Sequence, residues 1–107
     1  MIGVKLLNRA GDDTDFVEFE LSEVNFIDLW SATNSSVKVP CHHTFHGSFL
    51  SLHTLKDISQ AYYPFGFRCY DQSTVVNENK IEDVVPVKNG TKIIFTDGSY
   101  VVIRKKI

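Results

Sequence analysis

The stretch "FGFRCYDQSTVVNENKIEDVV", Phe65 to Val85, decides how this chain reads. From Phe67 to Tyr70 it alternates as a strand does, with Phe67 and Cys69 to one side and Arg68 and Tyr70 to the other. A polar knot, Asp71-Gln72-Ser73, interrupts it. Thr74-Val75-Val76 then resumes the strand, and Asn77-Glu78-Asn79 turns away. Two sticky runs around a polar tip read as a hairpin. The tip is either an ordinary turn or a loop held out to touch a partner, and the residues alone leave both readings open.

Working outward, strands and turns follow. Ile81 to Val87 is strand-like, Asn89-Gly90 marks a turn, and "TKIIFT" and "SYVVIRKKI" flank a second hairpin dipeptide, Asp97-Gly98. Upstream lies one helix. Thr54 can cap it with Asp57 three residues on, Leu55, Ile58 and Tyr62 share a face, and Pro64 stops it near Tyr62 or Tyr63. Further back, Val17, Phe19 and Leu21 alternate with Glu18 and Glu20. "VNFIDLW" (Val24 to Trp30) reads as a more buried strand, "SATNSS" as a polar loop, and "VKVPCHHTF" as a strand that Pro40 assigns to an edge or a bulge. The fold expected is mainly β: small antiparallel sheets in two or three layers with one short helix. Phe16, Phe19, Leu21, Phe26, Trp30, Val39, Leu55, Ile58, Phe67, Val76, Ile81, Val85, Ile94, Val101 and Ile103 are expected to supply much of the core.

The 107 residues suit one domain spanning 1–107. A chain of this size buries roughly 65% of its unfolded surface, so one core is feasible without metal or disulfides. Hydrophobic residues make up 43% and charged residues 22%, as in an ordinary globular domain, and no apolar run approaches the ~20 residues of a membrane span. The N-terminal residues show no secretory signal pattern, so a cytoplasmic location is expected. Cys41 and Cys69 read as reduced, buried thiols, and a bridge between them requires Cα atoms within ~7 Å, which the sequence does not show. The net charge of −2 argues mildly against nucleic acid, although a local basic patch can coexist with acidic residues elsewhere.

Chemical motifs are few. In "CHHTFH", Cys41, His42, His43 and His46 are metal-ligand types, but a strand turns His42 away from Cys41 and His43, and no second pair follows at finger spacing. The expected arrangement is three partly exposed rings on an edge strand, and metal-dependent regulation through the histidines is the competing one. No G-x-S-x-G, G-x-G-x-x-G or P-loop occurs, so neither catalysis nor a cofactor or small-molecule substrate is expected. The terminal "IRKKI" is either a solvated end or a grip on phosphates.

The ordered set Leu55 and Ile58, Phe67-Arg68-Cys69, Ser73, Val75-Val76-Asn77, Ile81, the Asp97-Gly98 hairpin and Arg104 resembles the LytTR family of bacterial DNA-binding domains. The likeness runs from Thr54 to Ile107. Over the first half only the order of strands and loops agrees. The resemblance implies an elongated stack of small antiparallel sheets with a short helix, with loops rather than a recognition helix entering the major groove. It also implies direct-repeat sites read by two protomers on one face of the DNA. Such modules usually end a response regulator of a two-component system, behind a phosphoacceptor domain that these 107 residues do not include.

Carried over residue by residue, the resemblance implies DNA contacts from Asn34 and Ser35, from Gln72 with Asp71 and Ser73 beside it, and from Arg104. Lys80, Lys105 and Lys106 would then hold phosphates. The chemistry agrees in kind. Arginine pairs with guanine O6 and N7, glutamine and asparagine pair with adenine N6 and N7, and serine and lysine fix register on the backbone. Two departures stand out. The run Arg68 to Asn77 is one residue longer than usual, which predicts a bulged tip and leaves open whether Asp71 or Gln72 faces DNA. Asp71 also stands where the family often has a histidine or a basic residue.

Each contact residue has a plainer reading. Asn34 can be a turn residue, Gln72 and Ser73 can satisfy their own loop, and Arg104 can pair with Glu82 or Asp83 on a neighbouring strand. Asn77 reads as structural, in a left-handed turn. The acidic balance and Asp71 support a rival function, a LytTR-like module without DNA affinity that binds proteins. The rival gains if Glu18, Glu20 or Glu82 crowd the face carrying the basic residues.

Overall fold

Val75 and Val76 are neighbours in sequence, and both are fully buried. Successive side chains on a strand point to opposite faces, so this strand must be covered on both. The computed structural model describes residues 2–5, 16–18, 20–32, 34, 36–51 and 53–106, the first two segments as backbone only. Its strands are β1 (Ile2–Lys5), β2 (Phe16–Glu18), β3 (Val24–Trp30), β4 (Val39–Thr44), β5 (Gly47–Leu50), β6 (Phe67–Asp71), β7 (Thr74–Asn77), β8 (Ile81–Val87), β9 (Gly90–Phe95) and β10 (Tyr100–Ile103), with helix α1 (Leu55–Tyr62) between β5 and β6. A seven-stranded sheet runs β2-β1-β5-β4-β3-β7-β6, a three-stranded sheet runs β10-β9-β8, and every pairing is antiparallel.

The large sheet is the middle layer. On one face α1 packs over Val24, Ile27, Phe49, Phe67 and Val75 through Ile58 and Tyr62. On the other, Phe26 and Val76 meet Ile93, Phe95 and Ile103 of the small sheet. A bulge between Val24 and Phe26 lets Val24 and Ile27 face the helix together while Phe26 faces the small sheet. Phe26 stacks on Phe95 with ring centroids 5.5 Å apart. Helix α1 starts where the sequence signals it: the Thr54 side chain accepts from the Asp57 N–H at 3.1 Å. A 3-10 turn through Pro64 ends it, and Gly66 closes that turn at φ 95°, where an added Cβ would lie 2.4 Å from Asn79 Nδ2. Among the described residues no helix is long and apolar enough to cross a membrane.

Several expectations need correction. β4 is not an edge strand; it lies between β5 and β3. Pro40 is tolerated there because the ladder to β5 begins at Cys41, and Pro40 contributes only its carbonyl, which accepts from the Ser51 N–H at 3.1 Å. His42 and His43 are accordingly buried, and of the three rings in "CHHTFH" His46 alone is exposed. Leu21–Glu23 is a 3-10 turn rather than strand, and Cys69 is exposed while Cys41 is buried. In β9 the inward residues are Ile93 and Phe95; Ile94, on the other parity, is half-buried opposite Tyr100. Trp30, Val39 and Val85 are half-buried, whereas Val24, Ile27, Val75 and Phe49 complete the core. Phe19 and the side chain of Phe16 lie outside the described residues.

Candidate nucleic-acid interface

Strand direction decides which loops meet. β3 ends at Trp30, opposite Val39 of β4, so the loop 31–38 leaves from that end of the sheet. β7 runs antiparallel to β3, with Phe26 opposite Val76 and Ile27 opposite Val75, so its start at Thr74 and the tip Asp71–Ser73 lie at the same end. The small sheet adds two more segments. The Arg104 N–H donates to Asp71 Oδ2 at 3.3 Å, which ties the chain leaving β10 to the tip. Thr91 pairs with Ile103, and its hydroxyl donates to the Lys105 carbonyl at 2.7 Å, which sets the turn Lys88–Asn89 beside that tail. The approach is close: a Cβ on Gly90 would lie 2.1 Å from the Ile103 carbonyl oxygen.

The expected bulge falls at Tyr70: Cys69 pairs with Val75 and Asp71 with Thr74. It turns the Asp71 carboxylate inward. Oδ1 accepts from the Ser73 N–H at 2.9 Å and faces the Ser73 hydroxyl at 3.4 Å, while Oδ2 accepts from Arg104. Partial burial works to raise the Asp71 pKa, but these hydrogen bonds and one from the Thr74 side chain together outweigh it and hold the carboxyl below its usual value. Asp71 is thus a clasp between the hairpin and the tail. Gln72 is exposed, and its amide makes no hydrogen bond with the described residues. Arg104 is exposed too and makes no ion pair among them, because β10 pairs with β9 while Glu82 and Asp83 lie beyond it on β8. Asp71, Gln72, Ser73, Arg104 and Lys105 line one open cleft of about 390 Å³.

Of the other expected contacts, Asn34 is exposed in the loop at this end with a left-handed φ of 65°, and Lys106 is exposed in the tail. Ser35 lies outside the described residues. Lys80 is not brought here. It sits in the turn Glu78–Lys80 beyond the far end of β7, where its carbonyl accepts from the Thr96 N–H. Asn77 is structural, as expected, but its backbone is extended (φ −81°), not left-handed. Its Nδ2 donates to the Val24 carbonyl at 2.8 Å and its Oδ1 caps Asn79. Sequence reasoning passed over Lys38 and Lys88, exposed cations of the same end. The Asn89-Gly90 turn was a usable signal for Lys88, since one strand length separates it from the Asp97-Gly98 hairpin.

Charge follows the same division. The four segments 31–38, 71–73, 88–89 and 104–106 carry five cations (Lys38, Lys88, Arg104, Lys105, Lys106) and one carboxylate, that of Asp71. Glu20, Glu23, Glu78 and Asp97 lie toward the other end of β3, β7 and β9, and Glu82 and Asp83 lie toward the matching end of β8. The Tyr70 hydroxyl donates to Glu78 at 2.7 Å, which holds that carboxylate along the sheet edge.

The family model of the LytTr DNA-binding domain matches residues 15–106. Among solved structures, the LytTr DNA-binding domain of a putative methyl-accepting/DNA response regulator from Bacillus cereus superposes with a TM-score of 0.68 at 15% identity, over 97% of this chain and 87% of that one. No curated protein matches the chain.

Proposed function

The chain belongs to the LytTR family of DNA-binding domains, and from that premise we propose that it reads double-stranded DNA with the Arg104 end of its sheet stack. The observation that carries the proposal is the Asp71 clasp. The carboxylate that would repel phosphate is consumed by hydrogen bonds inside the tip, and it holds Arg104 beside Gln72 with both side chains exposed at one cleft. Arg104 contacts a guanine edge, Gln72 and Asn34 contact adenine, and Ser73, Lys38, Lys88, Lys105 and Lys106 grip phosphates. Lys80 drops out of the contact set. Apart from Asp28, which His43 engages at the near end, the acids are segregated from the cations, and this favours the DNA reading over the protein-interaction module. Two protomers on direct repeats, acting as the output of a transcriptional regulator in the cytoplasm, complete the proposal.

Fluorescence anisotropy tests it, with duplexes that include the chain's own upstream region, at several salt concentrations. Affinity is expected to fall with rising salt and to drop by about 1–3 kcal/mol in Arg104→Ala. A folded domain that binds no duplex at low salt would overturn the reading and turn the search to protein partners.

A further inference from the structure

Among the described residues one group has metal-ligand chemistry, and it draws Asp28 from outside the run of histidines. β3 and β4 are paired with Asp28 opposite Cys41 and Phe26 opposite His43, so Asp28, Cys41 and His43 share one face of the sheet. One carboxylate oxygen, the Cys41 sulfur and one His43 ring nitrogen all lie within 4.8 Å of one another. His42 points to the opposite face, where its Nε2 is 3.0 Å from the Tyr62 hydroxyl, and His46 is exposed near Glu23. We propose that Asp28, Cys41 and His43 form a binding site for a zinc-class divalent transition-metal ion, bridging β3 and β4 just behind the loop that carries Asn34.

Four features fit such an ion. The donor set is one sulfur, one nitrogen and one oxygen, which suits zinc-class metals and not magnesium or calcium. A tetrahedral ion bound at about 2.0–2.3 Å needs ligands roughly 3.5 Å apart, so the ion enters by opening the 2.7 Å His43–Asp28 hydrogen bond while the wider spacings, all within 4.8 Å, close on it, with side-chain shifts of about an ångström. The His43 ring is already oriented: Nε2 stands 2.7 Å from Asp28 Oδ1, Nδ1 stands 2.9 Å from Ser48 Oγ, and the ring stacks on Phe26 at 4.3 Å. Ser48 is thereby the outer hydrogen-bond partner that a ligating histidine needs. Finally, charge balances. A thiolate and a carboxylate neutralise a divalent ion, so the bound site is neutral overall where Cys41 is fully buried. The Asp28 side chain is 37% exposed against 11% for His43, which leaves solvent access for a fourth ligand on the Asp28 side.

Binding exchanges protons in a defined way. Without metal, a neutral His43 ring that donates its Nε2–H to Asp28 accepts at Nδ1 from the Ser48 hydroxyl. With metal, Nε2 ligates, the ring proton sits on Nδ1 and donates to Ser48 Oγ, and the hydroxyl reverses its role. The Cys41 thiol loses its proton to solvent, so each ion bound to a neutral ring releases one proton.

The test is a Co²⁺ titration of the untagged chain under reducing conditions, read by absorption. A thiolate-to-cobalt charge-transfer band is expected, saturating at one ion per chain and displaced by Zn²⁺. Cys41→Ser should abolish the band, Asp28→Asn and His43→Gln should each weaken binding about tenfold or more, and Cys69→Ser should change nothing. Circular dichroism establishes that each variant is folded, and Asp28→Asn carries the test if Cys41→Ser is not. No band with Co²⁺ in excess, a band that survives Cys41→Ser, or binding unmoved by Asp28→Asn would overturn the proposal.

Discussion

The two hairpin tips Asp71-Gln72-Ser73 and Asp97-Gly98-Ser99 share one aspartate–serine hydrogen-bonding arrangement and put it to different uses. In each, an aspartate accepts from the N–H of the serine two residues on, at 2.9 Å in both, and faces its hydroxyl, at 3.4 Å for Ser73 and 2.6 Å for Ser99. In each, the second carboxylate oxygen reaches a distant segment. Asp71 takes the backbone N–H of Arg104, whose guanidinium stays exposed, while Asp97 takes the buried Asn25 side chain at 2.7 Å. The middle residue completes the contrast: Gln72 presents an amide, and Gly98 presents nothing. One tip displays side chains at the cationic end, and the other closes the far end of the stack.

The largest effect lies in the helix-side core and separates it from both tips. Burial pushes the His42 imidazole down to about 4, against a hydrogen bond with the Phe49 backbone that works to raise it and with smaller lowering contributions from His43 and His53. The unfolded ring titrates near 6.5 and the folded ring near 4, so the unfolded state binds more protons between those values. Stability is therefore complete above pH 6.5 and falls by about 3 kcal/mol as pH drops to 4. Both aspartates have depressed pKa values, because their hydrogen bonds outweigh a burial effect of opposite sign. Their stabilisation persists through that window and is lost only at lower pH. Urea midpoints measured across the window should decline in the wild type and flatten in His42→Gln. A wild-type midpoint that stays level would mean that the His42 ring is not buried in its neutral form.

Asp97→Ala should cost about 2 kcal/mol of stability in urea, since it strips a buried amide of its carboxylate partner. It should leave DNA affinity unchanged. Asp71→Ala should cost about 1 kcal/mol of stability yet weaken DNA by about as much again, because it unclasps Arg104. Equal effects of the two on both readouts would erase the distinction.

Gly98→Ala forces a Cβ onto a φ of 89° with no other atom within 4 Å, so about 1 kcal/mol of backbone strain is its whole expected effect. Gln72→Ala should do the reverse, sparing stability and weakening DNA by about 1 kcal/mol. Smallest of all, Lys88→Ala should reduce the salt slope of binding by about 1 while Lys80→Ala leaves it unchanged. A matching loss in Lys80→Ala would return that lysine to the interface.

Much of this was legible in the sequence. Thr54, Asp57 and Pro64 bracket the helix as expected, and the Arg68–Asn77 spacing announced the bulge at Tyr70. Parity failed at "TKIIFT", where adjacent isoleucines carry no alternation, and at Pro40, where strand order and not composition decides what lies beside it. The histidine run misled for a related reason: the partner that gathers Cys41 and His43 is Asp28, which sits across a strand pair and not within the motif.

Local chemistry is short-ranged, so the hairpins, the helix and its cap, the polar tip and the inventory of groups that can touch DNA follow from neighbouring residues alone. How those parts are used follows from packing across the chain. It buried both faces of β7, carried Lys80 to the far end and brought Lys88 to the near one. It also turned Asp71 inward by joining it to a backbone N–H 33 residues away. Those outcomes depend on which apolar faces are buried against each other across the whole chain, and no local periodicity contains that sum.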